Sequence, residues 1–291
     1  MTEYRLDNGE ISIKVNSLGA ELRSMQDCNS KLEYMWNADP KFWKRTSPVL
    51  FPIVGSLKNN EYTYEGTTYQ LSQHGFARDM EFELDEKSEN KISFVLNSDE
   101  ETRQKYPFHF ILKITYILKG RQVVIKWKVI NTSEKKMYFS IGAHPAFMCP
   151  IYKGTKQSDY SIKLDVDNKV VITKIGEEGL LTTQKKTYLL ENGCLPISEQ
   201  LFCEDALVIE HHQAHKVALL DHEQNPYITV SFDAPLFGIW SPPKKKAPFI
   251  CVEPWYGRCD KESFKGELQE REYGNLLEVG EVFEAGYTIE I

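Results

Sequence analysis

The chain has 291 residues, of which 41% are hydrophobic and 26% charged, with 15 Phe, 15 Tyr and 5 Trp, the balance of a globular protein with ample core material. Its 35 Lys and Arg stand against 42 Asp and Glu, a net charge of −7, so no overall positive field exists to hold a polyanion and nucleic acid is not an expected partner. The opening MTEYRLDNGEISIKV has no apolar signal region and no stretch approaches the ~18 apolar residues of a membrane span, so a cytoplasmic protein without a membrane partner is expected.

Alternation of apolar and polar residues begins at once: Ile11, Ile13 and Val15 are separated by Ser12, Lys14 and Asn16, the pattern of a half-buried strand. Asn8-Gly9 and Glu65-Gly66 are turn pairs. Ser98-Asp-Glu-Glu101 reads as a capping box that starts one short helix before Pro107 ends it. FHFILKITYIL (108–118) and QVVIKWKVIN (122–131) are β-rich runs joined at Lys119-Gly120-Arg121, a tight hairpin. Turn chemistry returns at Asp167-Asn168 and Glu223-Gln224-Asn225. ALVIE (206–210) and KVALL (216–220) read as two strands with His211, His212 and His215 at a hairpin tip between them. Regular strand spacing with few helical signals predicts an all-β chain, a large antiparallel sandwich with a few short helices. No linker, repeat or composition break divides it, so residues 1–291 are expected to form a single domain.

Six cysteines, at 28, 149, 194, 203, 251 and 259, lie singly with no C-x-x-C spacing, as for free thiols in a reducing compartment. Asn131-Thr132-Ser133 matches a glycosylation acceptor, a pattern without meaning in a chain that is not secreted. No Walker loop, G-x-G-x-x-G or G-x-S-x-G occurs, so no nucleotide, organic cofactor or serine nucleophile is indicated. The histidines at 211–215 have metal-like spacing, but at a β-turn they read as solvated side chains, and no metal is expected.

Three segments interrupt the strand pattern with chemistry: Gln73-His74-Gly75-Phe76-Ala77-Arg78, Gly142-Ala143-His144-Pro145-Ala146-Phe147 and Cys251-Val252-Glu253-Pro254-Trp255. Each sets a titratable group among small, aromatic or proline residues, where burial shifts a pKa and an aromatic face can stack on a sugar ring. Taken singly, His144 reads as a hydrogen-bonded core histidine and Arg78 as a surface ion pair with Asp79 or Glu81. Glu253 is costlier to bury without a purpose. Trp240 and Trp255 are stacking candidates that could equally fill the core.

In this order the segments resemble the aldose 1-epimerase (galactose mutarotase-like) family, in its LacX-like branch. The resemblance runs from Asn16-Ser17-Leu18-Gly19-Ala20-Glu21-Leu22 through Pro48–Gly55, HGFAR and GAHPAF to EPWYG. It implies a galactose mutarotase-like β-supersandwich whose concave face carries the sugar without metal or cofactor. Carried over by position, His144 resembles the general acid, Glu253 the general base and His74 the histidine that steadies the ring-oxygen side, while Arg78 and Asp205 would contact hydroxyls. The chain has HGFAR where galactose mutarotases have a longer glycine-rich segment, and EPW where they have ETQ, so strict galactose specificity is not implied.

The implied reaction takes a proton from the C1 hydroxyl, gives one to the ring oxygen, and recloses the opened ring as the other anomer, with base and acid expected on opposite sides of the ring. One rival is a carbohydrate-binding protein without catalysis, for which an acid and a base together are superfluous. Another is a glycoside hydrolase or lyase, for which a second carboxylate would be needed. Lys44 and Arg45, just before Ser47–Pro52, stand about where the hexose-6-phosphate mutarotases that the chain also resembles carry an arginine for phosphate. Arg78 and Lys244–Lys246 could close on the same spot, although the lysine run reads most simply as a solvated loop. The free hexose is the primary expectation and the sugar phosphate the alternative. Oligomeric state is not indicated.

Overall fold

The structure, a computed structural model, describes residues 1–291 apart from the side chain of Glu177. Two large antiparallel sheets carry the architecture. The first has nine strands in the order Cys194–Pro196, Ser161–Leu164, Lys216–Leu220, Pro226–Phe232, Val282–Glu290, Gln122–Asn131, Phe110–Lys119, Lys91–Asn97, Glu83–Lys87. The C-terminal strand Val282–Glu290 thus lies in mid-sheet, between Gln122–Asn131 and Pro226–Phe232. The second sheet runs Leu181–Leu189, Lys169–Ile175, Leu207–Ile209, Leu236–Trp240, Phe249–Tyr256, Ile141–Ala143, Val49–Leu50, with Ala146–Met148 also pairing to Phe249–Tyr256. A three-stranded sheet (Glu3–Asp7, Ile11–Asn16, Glu21–Asp27) and two hairpin-sized pairs complete the chain.

The alternating runs produce this because each strand turns one side to a shared core. In Phe110–Lys119 every second residue is buried, from Phe110 to Leu118. Leu112 and Ile125 of the first sheet belong to the same buried cluster as Ile209, Phe237 and Val252 of the second. The predicted hairpin is present: Lys119 pairs with Gln122, which leaves Gly120-Arg121 as a two-residue turn.

Three details depart from the sequence reading. The helix Glu100–Lys105 is capped by Asp99, whose carboxylate accepts from Thr102 N at 2.8 Å, so the box sits one residue later than Ser98-x-x-Glu101. Ser98 instead accepts from Phe110 N. Asp167-Asn168 does not close a hairpin, because the strands on either side of it lie in different large sheets. The same holds for His211–His215, which lies on a crossover from Leu207–Ile209 to Lys216–Leu220. Asn131 is fully buried, and its amide donates to the carbonyls of Lys135, Leu277 and Glu278. Among the described residues no helix is long and apolar enough to cross a membrane.

Candidate active site

The strand Phe249–Tyr256 is buried along almost its whole length. On one side it pairs with Leu236–Trp240, Gly238 opposite Glu253. On the other it meets two short strands in turn: Gly142 lies opposite Trp255, and Ala146 opposite Cys251. The register is unchanged across the break between these strands, so His144, which lies in the break, stands opposite Glu253. Directly opposed residues hold their side chains close on one face, and His144 Nε2 is 3.3 Å from Glu253 Oε2. Pro254 costs the strand a donor, as proline must.

Two glycines make room for the indole of Trp255. A Cβ at Gly142 would lie 2.8 Å from Trp255 Cδ1, and one at Gly238 would lie 2.5 Å from its Cη2. The ring therefore lies across two bare backbone positions, and its Nε1 is buried without a partner.

His74 reaches the same place from a loop. Its backbone is left-handed, φ 68°, a conformation that costs a non-glycine residue about 1 kcal/mol or more. Two bonds with one residue hold it: His74 N donates to Gly55 O at 3.0 Å, and Gly55 N donates to His74 Nδ1 at 3.1 Å. Since Nδ1 accepts, the ring proton sits on Nε2, which is left as a donor.

These groups line a cavity of about 270 Å³ together with Arg78, Asp205, Trp240, Trp43, Gln73 and Cys259. Arg78 is anchored through Nη2 to Gln73 O at 2.7 Å, while its Nε makes no hydrogen bond and lies 3.8 Å from Asp79 Oδ2, the ion pair expected from sequence. Asp205 Oδ1 accepts from Ala206 N at 2.7 Å. Trp43 lies against the His144 ring, centroids 4.7 Å apart, and Trp240 meets that ring edge-on at 5.3 Å.

Burial dominates the electrostatics, because a dry wall disfavours every charge. It pushes the Glu253 carboxyl well above the usual range, helped by the nearby carboxylate of Asp205. It pulls His144 down to about 3, helped by the cation of Arg78, and lowers His74 well below an ordinary imidazole. Asp205 is raised by burial too. Glu253 and His144 thus share one proton, which leaves one acid and one base side by side.

Seven of the nine sequence-predicted positions line this cavity: His74, Arg78, His144, Asp205, Trp240, Glu253 and Trp255. Lys44 and Arg45 do not. They line an adjoining cavity of about 250 Å³ with Arg23 and Glu21, and Arg78 borders both. Arg45 is paired with Asp79 at 2.8 Å. Of the lysine run, Lys245 donates to Phe42 O and Lys246 pairs with Glu199, so neither points to the central cavity. His211 shares a 2.8 Å hydrogen bond with Tyr273 OH, and His215 Nδ1 one of 3.2 Å with Phe232 O. Asp205 supplies the second carboxylate that sequence reasoning discounted. Trp43 was missed although it adjoins Lys44. Its signal was an aromatic in a short cationic segment, KFWKR, which gives no hint of the partner it stacks on.

The aldose 1-epimerase family model matches residues 2–272. The chain is 36% identical over 282 residues to the chromosomal LacX protein of Lactococcus lactis, covering 94% of this chain and 91% of that one, and equally to the plasmid form. A galactose mutarotase related enzyme from Lactobacillus acidophilus superposes with a TM-score of 0.93 at 35% identity, over 99% of this chain and 97% of the other. A galactose mutarotase-like protein from Lactobacillus casei gives 0.91 at 29% identity, over 99% of each. The fold is the galactose mutarotase-like β-supersandwich, and the chain belongs to the aldose 1-epimerase family.

Proposed function

We propose that the protein is a cofactor-independent aldose 1-epimerase, an isomerase of carbohydrate metabolism that interconverts the anomers of a free hexose. The carrying observation is the cross-strand pair of His144 and Glu253, buried and 3.3 Å apart on the cavity wall. The C1 hydroxyl and the ring oxygen of an aldose hang on the same carbon, so an acid and a base in contact fit this chemistry better than the opposed placement expected from sequence. Glu253, ionised once its proton has passed to His144, takes the hydroxyl proton. His144 delivers a proton to the ring oxygen, and the roles reverse on closure. Each such group contributes about 10² to 10⁴ in rate, or about 3–5 kcal/mol.

The rest of the wall suits a sugar. His74 Nε2–H and Arg78 are donors for ring and hydroxyl oxygens, Asp205 is an acceptor, and Trp43, Trp240 and Trp255 offer apolar faces. Residues 1–291 act as one domain in this reading. Six free cysteines accord with a reducing cytoplasm.

Exchange NMR over a panel of aldoses tests the proposal. Faster α–β exchange of a free hexose is expected, slowed about 100-fold or more in His144→Ala. No acceleration of any aldose, with binding retained, would leave the carbohydrate-binding reading in its place. Release of reducing sugar from a glycoside would favour the hydrolase reading, for which Glu253 and Asp205 supply two carboxylates. The sugar-phosphate alternative draws on Arg78, which joins the cavity to the cationic neighbour lined by Arg23, Lys44 and Arg45.

A further inference from the structure

Cys251 is two residues before Glu253 on one strand, so both side chains project from the same face. Its thiol is wholly buried; His144 and Glu253 line the cavity, whereas Cys251 is not part of its wall. His144, Cys251 and Glu253 each offer a ligand atom, and these atoms lie within 4.8 Å of one another. A tetrahedral Zn²⁺ with bonds of ~2.0–2.3 Å holds its ligand atoms roughly 3.3–3.7 Å apart. The 3.3 Å between His144 Nε2 and Glu253 Oε2 already meets this, and Cys251 Sγ lies within 4.8 Å of both, so closing the set asks for at most about 1 Å of movement.

We propose that His144 Nε2, Cys251 Sγ and the Glu253 carboxylate form a binding site for a thiophilic divalent cation, Zn²⁺ or Cd²⁺, whose occupancy switches the enzyme off. Charge favours it: a thiolate and a carboxylate, each costly alone in a dry wall, neutralise a divalent ion between them. The donor set is one nitrogen, one sulfur and one oxygen, with the fourth position open to the cavity. Such a set suits zinc and cadmium, and the sulfur disfavours magnesium and calcium. Binding places the proton of His144 on Nδ1, which has no partner. Without that outer-shell support, affinity falls about 10- to 100-fold below a fully supported site, so the ion acts as a reversible inhibitor. It occupies the two lone pairs that the reaction uses. The loss of activity rests on the acid/base reading given above, whereas the coordination does not.

Co²⁺ titration of the whole protein tests the coordination. One equivalent should bind and give a thiolate-to-cobalt charge-transfer band, lost in Cys251→Ser and weakened in His144→Ala, and Zn²⁺ should displace it. Zn²⁺ should slow anomer exchange and a chelator restore it. In Cys251→Ser the metal-free rate should persist while the half-inhibiting Zn²⁺ rises about tenfold or more. If Cys251→Ser is unfolded by circular dichroism, Cys251→Ala takes its place. No charge-transfer band at saturating Co²⁺, or equal Zn²⁺ sensitivity in the cysteine variants, overturns the site. A band lost on substitution but with no slowing of exchange supports the coordination and sinks the acid/base assignment.

Discussion

Glu253 and His144 hold one proton between them, and their pH behaviour follows from where burial has moved each group. The pair stays singly protonated until His144 takes a second proton, at about 3, or Glu253 loses its own, well above the ordinary carboxylate range. A plot of kcat/KM against pH should therefore be flat through weakly acidic pH and fall on the alkaline side. An acid limb near 6.5, the value of a solvated imidazole, would refute the burial argument. Stability carries the same signature. The folded value of Glu253 exceeds the unfolded one, so the native chain keeps its proton longer and loses stability as pH rises from the unfolded carboxylate range towards the folded value. His144 and His74 act oppositely, adding stability as pH rises to the unfolded imidazole value near 6.5. Glu253→Gln should thus melt higher than the parent, by a margin that grows with pH, each kcal/mol being worth about 2–4 °C. It should also slow anomer exchange by about 10² or more, as should His144→Ala, with His74→Ala costing less. A near-normal rate in Glu253→Gln would remove the mechanism.

At the level of strands, the indole of Trp255 over Gly142 and Gly238 gives a direct test. Gly238→Ala sets a methyl 2.5 Å from the ring, and the ring is hemmed in on its other side. Overpacking of this kind costs about 1–3 kcal/mol, so thermal unfolding should come several degrees earlier and tryptophan fluorescence should change. An unchanged melting temperature would mean that the ring yields freely. Strand alternation made most of the sheets legible in the sequence, because burial on one face writes itself into every second residue. The ends of connections were less so. Nothing local to Asp167-Asn168 or His211–His215 says whether the next strand pairs with the last or crosses to another sheet, since that depends on distant partners. GAHPAF and EPW could be read as chemistry, but their opposition is a matter of register between strands more than 100 residues apart. Cys251 went unread for the same reason, and Trp43 because its loop gives no sign of the imidazole it stacks on. The crossover placement predicts that His211→Ala with His215→Ala leaves anomer exchange intact and that chelators never lower it. A stoichiometric metal lost in that double variant would contradict both.

Over the whole molecule, the net charge of −7 repels a sugar phosphate at long range while Arg23, Lys44, Arg45 and Arg78 gather beside the cavity. If these cations hold phosphate, Lys44→Ala or Arg45→Ala should raise KM for a hexose 6-phosphate, weaken its salt dependence and leave the free hexose untouched. Equal effects on both sugars, or none, would leave an enzyme of neutral aldoses. The position of Val282–Glu290 in mid-sheet bears on how the molecule comes to exist at all. A chain that lacks Val282–Glu290 exposes the unpaired edges of Gln122–Asn131 and Pro226–Phe232 at once. Such edges recruit other chains, so a closed sheet rather than an aggregate depends on this one strand being in place between two partners that are otherwise far apart in sequence.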